Sequence, residues 1–366
     1  MLIQLAVMGI LAALLPLTMV WVSSDADKYR KLVWVTLFLT FDLIMFGAFT
    51  RLTDSGLGCP DWPGCYGHAN PLQAHADISA AETAMPTGPV TVMKAWIEMI
   101  HRYLAMAIGV LIIALMVIAW RRWLQSGRKE MKFSPLFPTL LFAFVCLQGA
   151  FGAWTVTMKL QPVIVTIHLL LGMTLLALLT WFGARLSEHL PMSQPAVSQS
   201  AAALRIPAAL ALVLLAIQIA LGGWVSTNYA ALACTDFPLC HGVLLPQMDF
   251  ANGYSLWRNL GMTVNGDYLP FPALTAIHWT HRAFAFVVVA QVAWVSLRAF
   301  KIKALHKTAR WLLLMITLQF AIGISTVFLN LPLALAVAHN GGAALLMLLL
   351  VALNYKISIA SKTASN

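Results

Sequence analysis

The chain has 366 residues, of which 60% are hydrophobic and only 10% are charged. Its mean hydropathy of +0.81 leaves too little polar surface to cover a soluble globule of this size. A net charge of +10 could suit a nucleic-acid-binding protein, but the hydropathy and the positions of the charges exclude that class. The composition therefore predicts a polytopic membrane protein.

Nine apolar runs approach the length that a helix needs to cross the hydrocarbon core of a bilayer. We therefore predict an all-α fold with nine spans. The first run has no basic residue before it and no convincing small-residue cleavage site, so it is interpreted as an added membrane helix rather than a signal peptide. The runs lie at about residues 2–22, 32–50, 97–120, 135–157, 162–182, 205–225, 275–298, 308–330 and 334–355.

The distribution of basic residues predicts the orientation of the chain. The two long loops, at residues 52–96 and 227–273, are acidic or nearly neutral, whereas Lys and Arg cluster in the other connections. The positive-inside rule places the basic segments in the cytoplasm and the two long loops outside. The N-terminus is then outside and the C-terminus is cytoplasmic. The basic clusters are residues 28–31, 121–132, 298–310 and 356–362.

Matching motifs indicate an internal repeat. LQGAFG, which contains Gln148, resembles LQFAIG, which contains Gln319, and each glutamine is followed twenty residues later by a histidine, His168 or His339. The spacing predicts two tandem four-helix bundles. The predicted divisions are an extra N-terminal helix with a basic linker at 1–30, a first half at 31–186, a cytoplasmic linker at 187–204, a second half at 205–357 and a cytoplasmic tail at 358–366.

Each long loop contains a pair of cysteines six residues apart. Cys59 and Cys65 lie in GCPDWPGCYG, and Cys234 and Cys240 lie in ACTDFPLCHG. On an oxidising face of the membrane such pairs are typical of disulfides that close short loops. A zinc site using a nearby histidine is an alternative, although neither loop has the close CxxC pair of structural zinc. Thiols that exchange with a redox partner are a third interpretation.

Four histidines lie in apolar runs, near their predicted outer ends: His101, His168, His281 and His339. Two imidazoles on neighbouring helices of one bundle are what a planar macrocycle with two axial ligands requires, so the repeat predicts two such sites. A di-metal site would need more carboxylates or histidines. A proton relay would need ionisable residues across the whole membrane. Histidines that merely pack in the core are the remaining alternative.

The two halves differ at one position near these histidines. Glu98 precedes His101 by three residues, whereas His278 precedes His281 by three. Residues three apart share a helix face, so only the first half has a carboxylate beside its histidine. A carboxylate there suits acid/base work or stabilisation of a developing cation. The first half is therefore the predicted site of chemistry.

Taken together, these motifs resemble the bacterial heme A synthase family. The match extends over about residues 31–355 and rests on the combination of motifs. The resemblance implies an integral-membrane oxidoreductase that oxidises the C8 methyl group of heme O to the formyl group of heme A for cytochrome oxidase. The motifs are GAFTRLTDSGLGCPDWPGCYG (47–67), EMIHR (98–102), VTIHLLLG (165–172), the second cysteine loop, HWTHR (278–282) and VAHNGG (337–342).

The resemblance also implies roles for individual residues. Matched by position, His281 and His339 are the axial ligands of a bound haem b, and His101 and His168 hold the substrate haem. Glu98 is the essential acidic residue, and the pair in the first cysteine loop takes part in activity. Three arginines are candidates either for pairing with haem propionates or for anchoring at the interface: Arg51, Arg102 and Arg282.

The implied setting is the bacterial inner membrane, with the cysteine loops on the periplasmic side. The implied partners are heme O, the farnesyltransferase that makes it, cytochrome oxidase assembly factors and an unidentified electron donor or acceptor. A homo-oligomer is left open, and nucleic acid is not expected. Two other functions stay open: a di-haem b-type cytochrome that transfers electrons, and a haem-handling chaperone without catalysis.

Overall fold

The structure, a computed structural model, describes residues 1–129, 134–187 and 195–362. Twelve α-helices and no β-strand occur in these residues. The helices are α1 (Leu2–Val22), α2 (Lys28–Leu52), α3 (His75–Ala84), α4 (Val92–Gln125), α5 (Leu136–Thr157), α6 (Pro162–Leu186), α7 (Pro195–Ala202), α8 (Arg205–Thr227), α9 (Phe250–Gly253), α10 (Phe271–Phe300), α11 (His306–Phe328) and α12 (Leu333–Lys362).

Within the described part of the chain, nine helices are long and apolar enough to cross a membrane. They correspond to the nine predicted apolar runs, so the prediction of an all-α polytopic membrane protein is confirmed. The remaining helices, α3, α7 and α9, are short. Because α3 and α9 follow the two cysteine pairs, both long loops contain ordered helical structure.

Several helices begin earlier than their apolar runs suggest, among them the two that carry His101 and His281. α4 begins at Val92 rather than at residue 97, because the side chain of Thr91 accepts a hydrogen bond from the backbone N–H of Lys94 and caps the helix there. α10 begins at Phe271 rather than at 275, directly after Pro270. His101 and His281 consequently lie further from the starts of their helices than His168 and His339 do, and the sequence did not predict this difference.

One compact unit comprises Met1–Leu160 and Thr174–Leu186. Its central helix is α4, which packs against α1, α2 and α5. Leu111 and Leu115 of α4 are fully buried in a cluster with residues of α1, α2 and the second half of α6. The predicted extra helix α1 therefore packs on the bundle through a specific face, at which Gly9 contacts Met106 of α4.

The second compact unit comprises Gln161–Met173 and Ser187–Asn366. Helices α8, α10, α11 and α12 pack in a ring, each against two neighbours. Side-chain amides join them: Gln291 of α10 donates to the carbonyl oxygen of Pro207 on α8 at 3.0 Å, and Asn354 of α12 donates to that of Ala208 at 3.0 Å. Such interhelical hydrogen bonds satisfy polar groups that lipid cannot.

The predicted linker and tail lie partly outside the described residues, which exclude 188–194 and 363–366. The described part of the linker contains α7, which packs against α12. The first half of α6 belongs to the second compact unit, whereas the division predicted from the sequence placed all of α6 in the first half of the chain. The assignment of one half to a substrate and the other to a fixed haem stays a prediction.

Candidate functional site

Both cysteine pairs form disulfides. The Cys59–Cys65 bond has an S–S distance of 2.08 Å, and the Cys234–Cys240 bond has one of 2.05 Å. All four cysteines are buried. The described residues contain no group of three or more His, Cys, Asp or Glu side chains that could hold a metal ion. The structure therefore favours the disulfide interpretation over zinc for both loops.

An aspartate stabilises the turn that ends each disulfide loop. Each carboxylate accepts two backbone hydrogen bonds, and the second donor is a glycine with positive φ, 74° at Gly67 and 76° at Gly242. In the second loop these hydrogen bonds, from Gly242 first, lower the pKa of Asp236 below its usual 3.8. The donors are Tyr66 and Gly67 for Asp61, at 2.6 and 2.8 Å, and His241 and Gly242 for Asp236, at 2.8 Å each.

Glu98 of α4 connects the first disulfide loop to the helix that contains His101. Its Oε2 accepts a hydrogen bond from the backbone N–H of Cys59 at 2.8 Å, and its Oε1 pairs with Nη2 of Arg102 at 2.5 Å. The side chain is almost fully buried. Both carboxylate oxygens therefore face hydrogen-bond donors, which is an arrangement that suits the ionised form.

Arg102 completes this connection. Its Nη1 donates to the backbone carbonyl oxygens of Asp61, at 3.0 Å, and Gly64, at 2.5 Å. Glu98 binds a backbone N–H of the loop, and Arg102 binds its backbone carbonyl oxygens, so the two side chains together hold the loop against α4. We call this set, Glu98 and Arg102 with the loop groups that they bind, the first clamp.

The second loop is held by an analogous second clamp on α10. The backbone N–H of Cys234 donates to Nδ1 of His278 at 3.1 Å. Nη2 of Arg282 donates to the carbonyl oxygens of Asp236 and Leu239, at 2.7 and 2.9 Å. His278 thus does for its loop what Glu98 does for the first loop, because an unprotonated Nδ1 is also an acceptor. Glu98 and His278 therefore make the same contact, because each accepts a hydrogen bond from the backbone N–H of the first cysteine of its loop. They differ in that Glu98 does so with a carboxylate and His278 with an imidazole nitrogen.

The arginines predicted to meet haem propionates have other contacts in the structure. Arg102 and Arg282 bind loop carbonyls, as described above. Arg51, at the end of α2, pairs with Asp54 at 3.2 Å, and the carboxylate of that pair is largely exposed. One nitrogen of Arg282, Nη1, is buried without a hydrogen-bond partner among the described residues. These contacts leave propionate binding as a prediction for all three arginines.

His101, His281 and His339 each pack directly on a glycine of the preceding long helix. A Cβ atom added to Gly47 would lie 3.0 Å from Cε1 of His101, and one added to Gly222 would lie 3.0 Å from Cε1 of His281. The corresponding distance from Gly323 to His339 is 3.1 Å. Only glycine lets the helix backbone approach an imidazole ring so closely. Phe46 also stacks on His101, with ring centroids 6.2 Å apart.

Two of these histidines have a glutamine four residues before the contacting glycine. Nε2 of Gln218 lies 3.1 Å from Nδ1 of His281 and 3.1 Å from its backbone carbonyl oxygen. Nε2 of Gln319 donates to the carbonyl oxygen of His339 at 2.8 Å. Each glutamine thereby fixes the helical turn that carries a histidine.

The residues around His281 and His339 fit a haem. His281 lies on α10 and His339 on α12, which are opposite helices in the ring formed by α8, α10, α11 and α12. Nδ1 of His339 is buried with no hydrogen-bond partner in the described chain, and the glycine contacts keep bulky side chains away from both rings. Two imidazoles alone make a poor site for a bare ion, but a haem supplies the four remaining ligands of its iron.

The structure does not bring the other predicted pair into one unit. His101 lies on α4 of the first unit, and His168 lies on α6 within Gln161–Met173, which groups with the second. Their joint binding of a substrate haem therefore stays a prediction.

Asp42 of α2 is exposed in the middle of a membrane-spanning helix, and nothing in the structure explains why a carboxylate lies there.

Sequence reasoning missed three features of the site. It did not identify Gln218, the glycines that contact the histidines, or the two clamps. The spacing Gln-x3-Gly, at Gln218 to Gly222 and at Gln319 to Gly323, was visible and could have indicated a polar and small stripe facing a histidine. The clamps could not be found in this way, because the hydrogen bond from Cys59 to Glu98 spans thirty-nine residues.

The fold and the site define a polytopic membrane protein with histidines on its membrane helices and with two disulfide loops that are clamped to α4 and α10. The sequence matches the COX15-CtaA family, described as a cytochrome oxidase assembly protein, over residues 30–351. The chain belongs to this family.

Curated relatives match nearly the whole chain. It is 40% identical over 329 residues to the heme A synthase of Shewanella oneidensis, a match that covers 89% of this chain and 96% of that protein. It is 28% identical over 359 residues to the heme A synthase of Bradyrhizobium diazoefficiens, covering 91% and 93%. It is 30% identical over 359 residues to that of Erythrobacter litoralis, covering 90% and 97%.

Proposed function

We propose that this chain is a heme A synthase, which oxidises the C8 methyl group of heme O to the formyl group of heme A for cytochrome oxidase assembly. The observation that carries the proposal is the 40% identity to a heme A synthase over 96% of that protein's length. The histidines of the membrane helices and the first clamp are the residues to which we assign roles in this reaction.

The second half is the proposed site of a haem b, held by His281 and His339. The support is the fit described above, in which each ring has a glycine beneath it and a glutamine that fixes its helical turn. When bound, this haem would supply one-electron oxidation and reduction. His101 and His168 are the proposed ligands of the substrate haem.

Glu98 is the proposed acidic residue of the substrate site. Conversion of a methyl group to a formyl group removes electrons and protons and adds one oxygen atom, so positive charge develops at the carbon if electrons leave first. A buried carboxylate stabilises such charge in a low-dielectric site. Because Arg102 and the N–H of Cys59 both donate to Glu98, the proposed role is electrostatic, whether the carbon is hydroxylated or attacked by water after electron withdrawal.

Arg282 and Arg51 are the arginines best placed for propionates. The unpartnered Nη1 of Arg282 offers a buried donor to a carboxylate. Arg51 could exchange the exposed carboxylate of Asp54 for a propionate at little cost, because surface ion pairs contribute little. Arg102 is the proposed loop anchor, since its donors already bind Asp61 and Gly64.

The proposed location is the bacterial inner membrane, with both cysteine loops in the periplasm and the C-terminus in the cytoplasm. The basic clusters and the disulfides support this orientation. Alkaline phosphatase fused after the first cysteine loop should be active, and the same enzyme fused at the C-terminus should be inactive. The reverse result would overturn the orientation.

The proposed partners follow from the reaction. Heme O is delivered by the farnesyltransferase that makes it, heme A passes to cytochrome oxidase assembly factors, and an electron donor or acceptor completes the oxidation. Self-association is also proposed, and the mass of the purified protein in detergent would test it.

The function is tested in a bacterial host that makes heme O but lacks its own heme A synthase. Cells expressing the chain should accumulate heme A, identified by chromatography and mass of the extracted haems. Glu98→Gln should retain haem but form no heme A. A wild-type chain that carries only protohaem in such cells would contradict the proposal and favour a di-haem electron-transfer cytochrome, and one that binds heme O unchanged would favour a chaperone.

A further inference from the structure

The turn between α10 and α11 concentrates positive charge at one end of the second unit. Five Lys or Arg residues occur between residues 298 and 310, and this stretch contains no Asp or Glu. All five side chains are exposed, and none of them forms an ion pair with a described residue. The five residues, which we call the basic turn, are Arg298, Lys301, Lys303, Lys307 and Arg310. Their like charges repel one another unless an anion approaches.

The backbone that carries these cations is well packed. Ile302 and Leu305 are buried, and the N–H of Leu305 donates to the carbonyl oxygen of Ile302 at 2.8 Å. Nδ1 of His306 donates to the carbonyl oxygen of Phe300 at 3.0 Å, and the centroids of these two rings are 3.8 Å apart. An anion that binds there meets a preformed turn, so little backbone ordering opposes binding.

A sixth cation reaches the same turn from α12. Nζ of Lys356 donates to Oγ1 of Thr308 at 2.7 Å, and Thr308 follows Lys307 directly in the first turn of α11. A hydroxyl group is neutral, so this contact satisfies a hydrogen bond of the ammonium group without neutralising its charge. Lys356 therefore adds to the positive potential of the basic turn.

The chain offers no nearby carboxylate to balance this charge. Asp267 is the last acidic residue in the sequence, so residues 268–366 contain no Asp or Glu. The described acidic residues of the second unit, Asp236, Asp249 and Asp267, all precede α10, whereas the basic turn begins near its other end. α10 has 30 residues, which corresponds to a length of about 45 Å. A neutralising anion must therefore come from outside the described residues.

Two tryptophans indicate that the basic turn lies at the surface of the bilayer. Trp294 precedes Arg298 by one helical turn, and Trp311 follows Arg310 directly; their exposed fractions are 44% and 45%. Cζ of Arg298 lies 5.7 Å from the centroid of the Trp294 ring. Tryptophan is enriched where hydrocarbon meets the headgroups, and α10 and α11 are both long and apolar enough to cross a membrane. Anions at this level of a bilayer are the phosphates of phospholipid headgroups.

We propose that the basic turn is a binding site for anionic phospholipids of the surrounding bilayer. Lys and Arg pair with headgroup phosphates through charge-assisted hydrogen bonds. A zwitterionic headgroup carries its own cation and gains less from the site. The inference rests on the membrane-spanning helices and not on the haem sites, so it stands or falls separately from the proposed reaction.

The experiment counts the phospholipids bound to the purified full-length protein by native mass spectrometry in a non-ionic detergent. Phosphatidylglycerol should bind the wild type more tightly than phosphatidylcholine does. Lys303→Gln combined with Lys307→Gln should weaken phosphatidylglycerol binding roughly 25-fold, because each cation near an anionic headgroup contributes about fivefold.

The matched control is Arg30→Gln combined with Lys31→Gln, which also removes two cations from one end of a membrane helix. There Arg30 already pairs with Asp25 at 3.3 Å, so this control should leave phosphatidylglycerol binding nearly unchanged. Soluble glycerol phosphate at the concentration of the lipid should displace no phosphatidylglycerol.

Three results would overturn the proposal. Equal binding of the two lipids by the wild type would show no preference for an anionic headgroup. An equal loss of binding in the test and control variants would show only an effect of net charge. Displacement by glycerol phosphate would indicate a site for free phosphate rather than for lipid. If the test variant does not keep the thermal midpoint of the wild type in detergent alone, Lys301→Gln combined with Lys303→Gln decides in the same way.

Discussion

Glu98 accepts a hydrogen bond from the backbone N–H of Cys59, so the residue proposed to act in the chemistry also holds the first disulfide loop. Glu98 and His101 are three residues apart on α4. A shift of the loop would therefore displace a side chain that lies one helical turn from the histidine. In this arrangement the loop and the histidine are parts of one structure.

The first prediction concerns the coupling of Glu98 to Arg102. Glu98→Ala should lower the free energy of unfolding by about 3 kcal/mol, because it leaves a largely buried guanidinium without its anion. The double variant with Arg102→Ala should cost less than the two single changes added together. Chemical or thermal unfolding in detergent measures these values, and strictly additive costs would show that the pair is not coupled.

The second prediction tests the contact between Gly222 and His281. Gly222→Ala should reduce the amount of haem b per protein, and Gly222→Val should abolish its binding, since a Cβ atom 3.0 Å from Cε1 forces the ring to move. Gly149→Ala is the matched control in another membrane helix, where an added Cβ meets nothing within 4 Å. Haem content is measured by the pyridine haemochrome spectrum. Equal haem content in the Gly222→Ala and Gly149→Ala proteins would contradict the assigned contact.

The sequence was sufficient to predict the membrane class, the nine spans and both cysteine pairs, because hydropathy and repeated motifs are local signals. It failed at the starts of α4 and α10, which begin at Val92 and Phe271 rather than at residues 97 and 275. It left Arg102 with two possible roles, propionate pairing or anchoring at the interface, and did not predict its hydrogen bonds to Asp61 and Gly64. Contacts between a loop and a distant helix face depend on packing, which the order of residues alone does not show.

The third prediction concerns the Cys59–Cys65 disulfide. Both cysteines are buried in one hydrophobic cluster with Leu5 of α1 and Ile78 of α3. Replacing both cysteines with serine should lower the free energy of unfolding by about 2 kcal/mol, from the loss of the constraint on the unfolded chain. After mild reduction of the folded protein, a membrane-impermeant maleimide should label neither cysteine. Rapid labelling without unfolding would instead indicate an exchangeable thiol pair.

The fourth prediction concerns the pH dependence of the second loop. Hydrogen bonds from Gly242 and His241 lower the pKa of Asp236, so the stabilisation that its carboxylate provides is fully present above the unfolded pKa of about 4. It is lost as the pH falls through the lowered pKa. The difference in thermal midpoint between the wild type and Asp236→Asn should therefore be constant near neutral pH and shrink below about pH 4. A difference that grows on acidification would contradict this sign.

The most direct test is the identity of the haems in the purified protein and in two histidine variants, expressed with a source of heme O. The wild type should contain protohaem together with heme O or heme A. His101→Ala should lose heme O and heme A but keep protohaem, and His281→Ala should lose protohaem. Two equivalents of protohaem in the wild type, with no heme O or heme A, would contradict the assignment of one half to substrate and the other to a fixed haem.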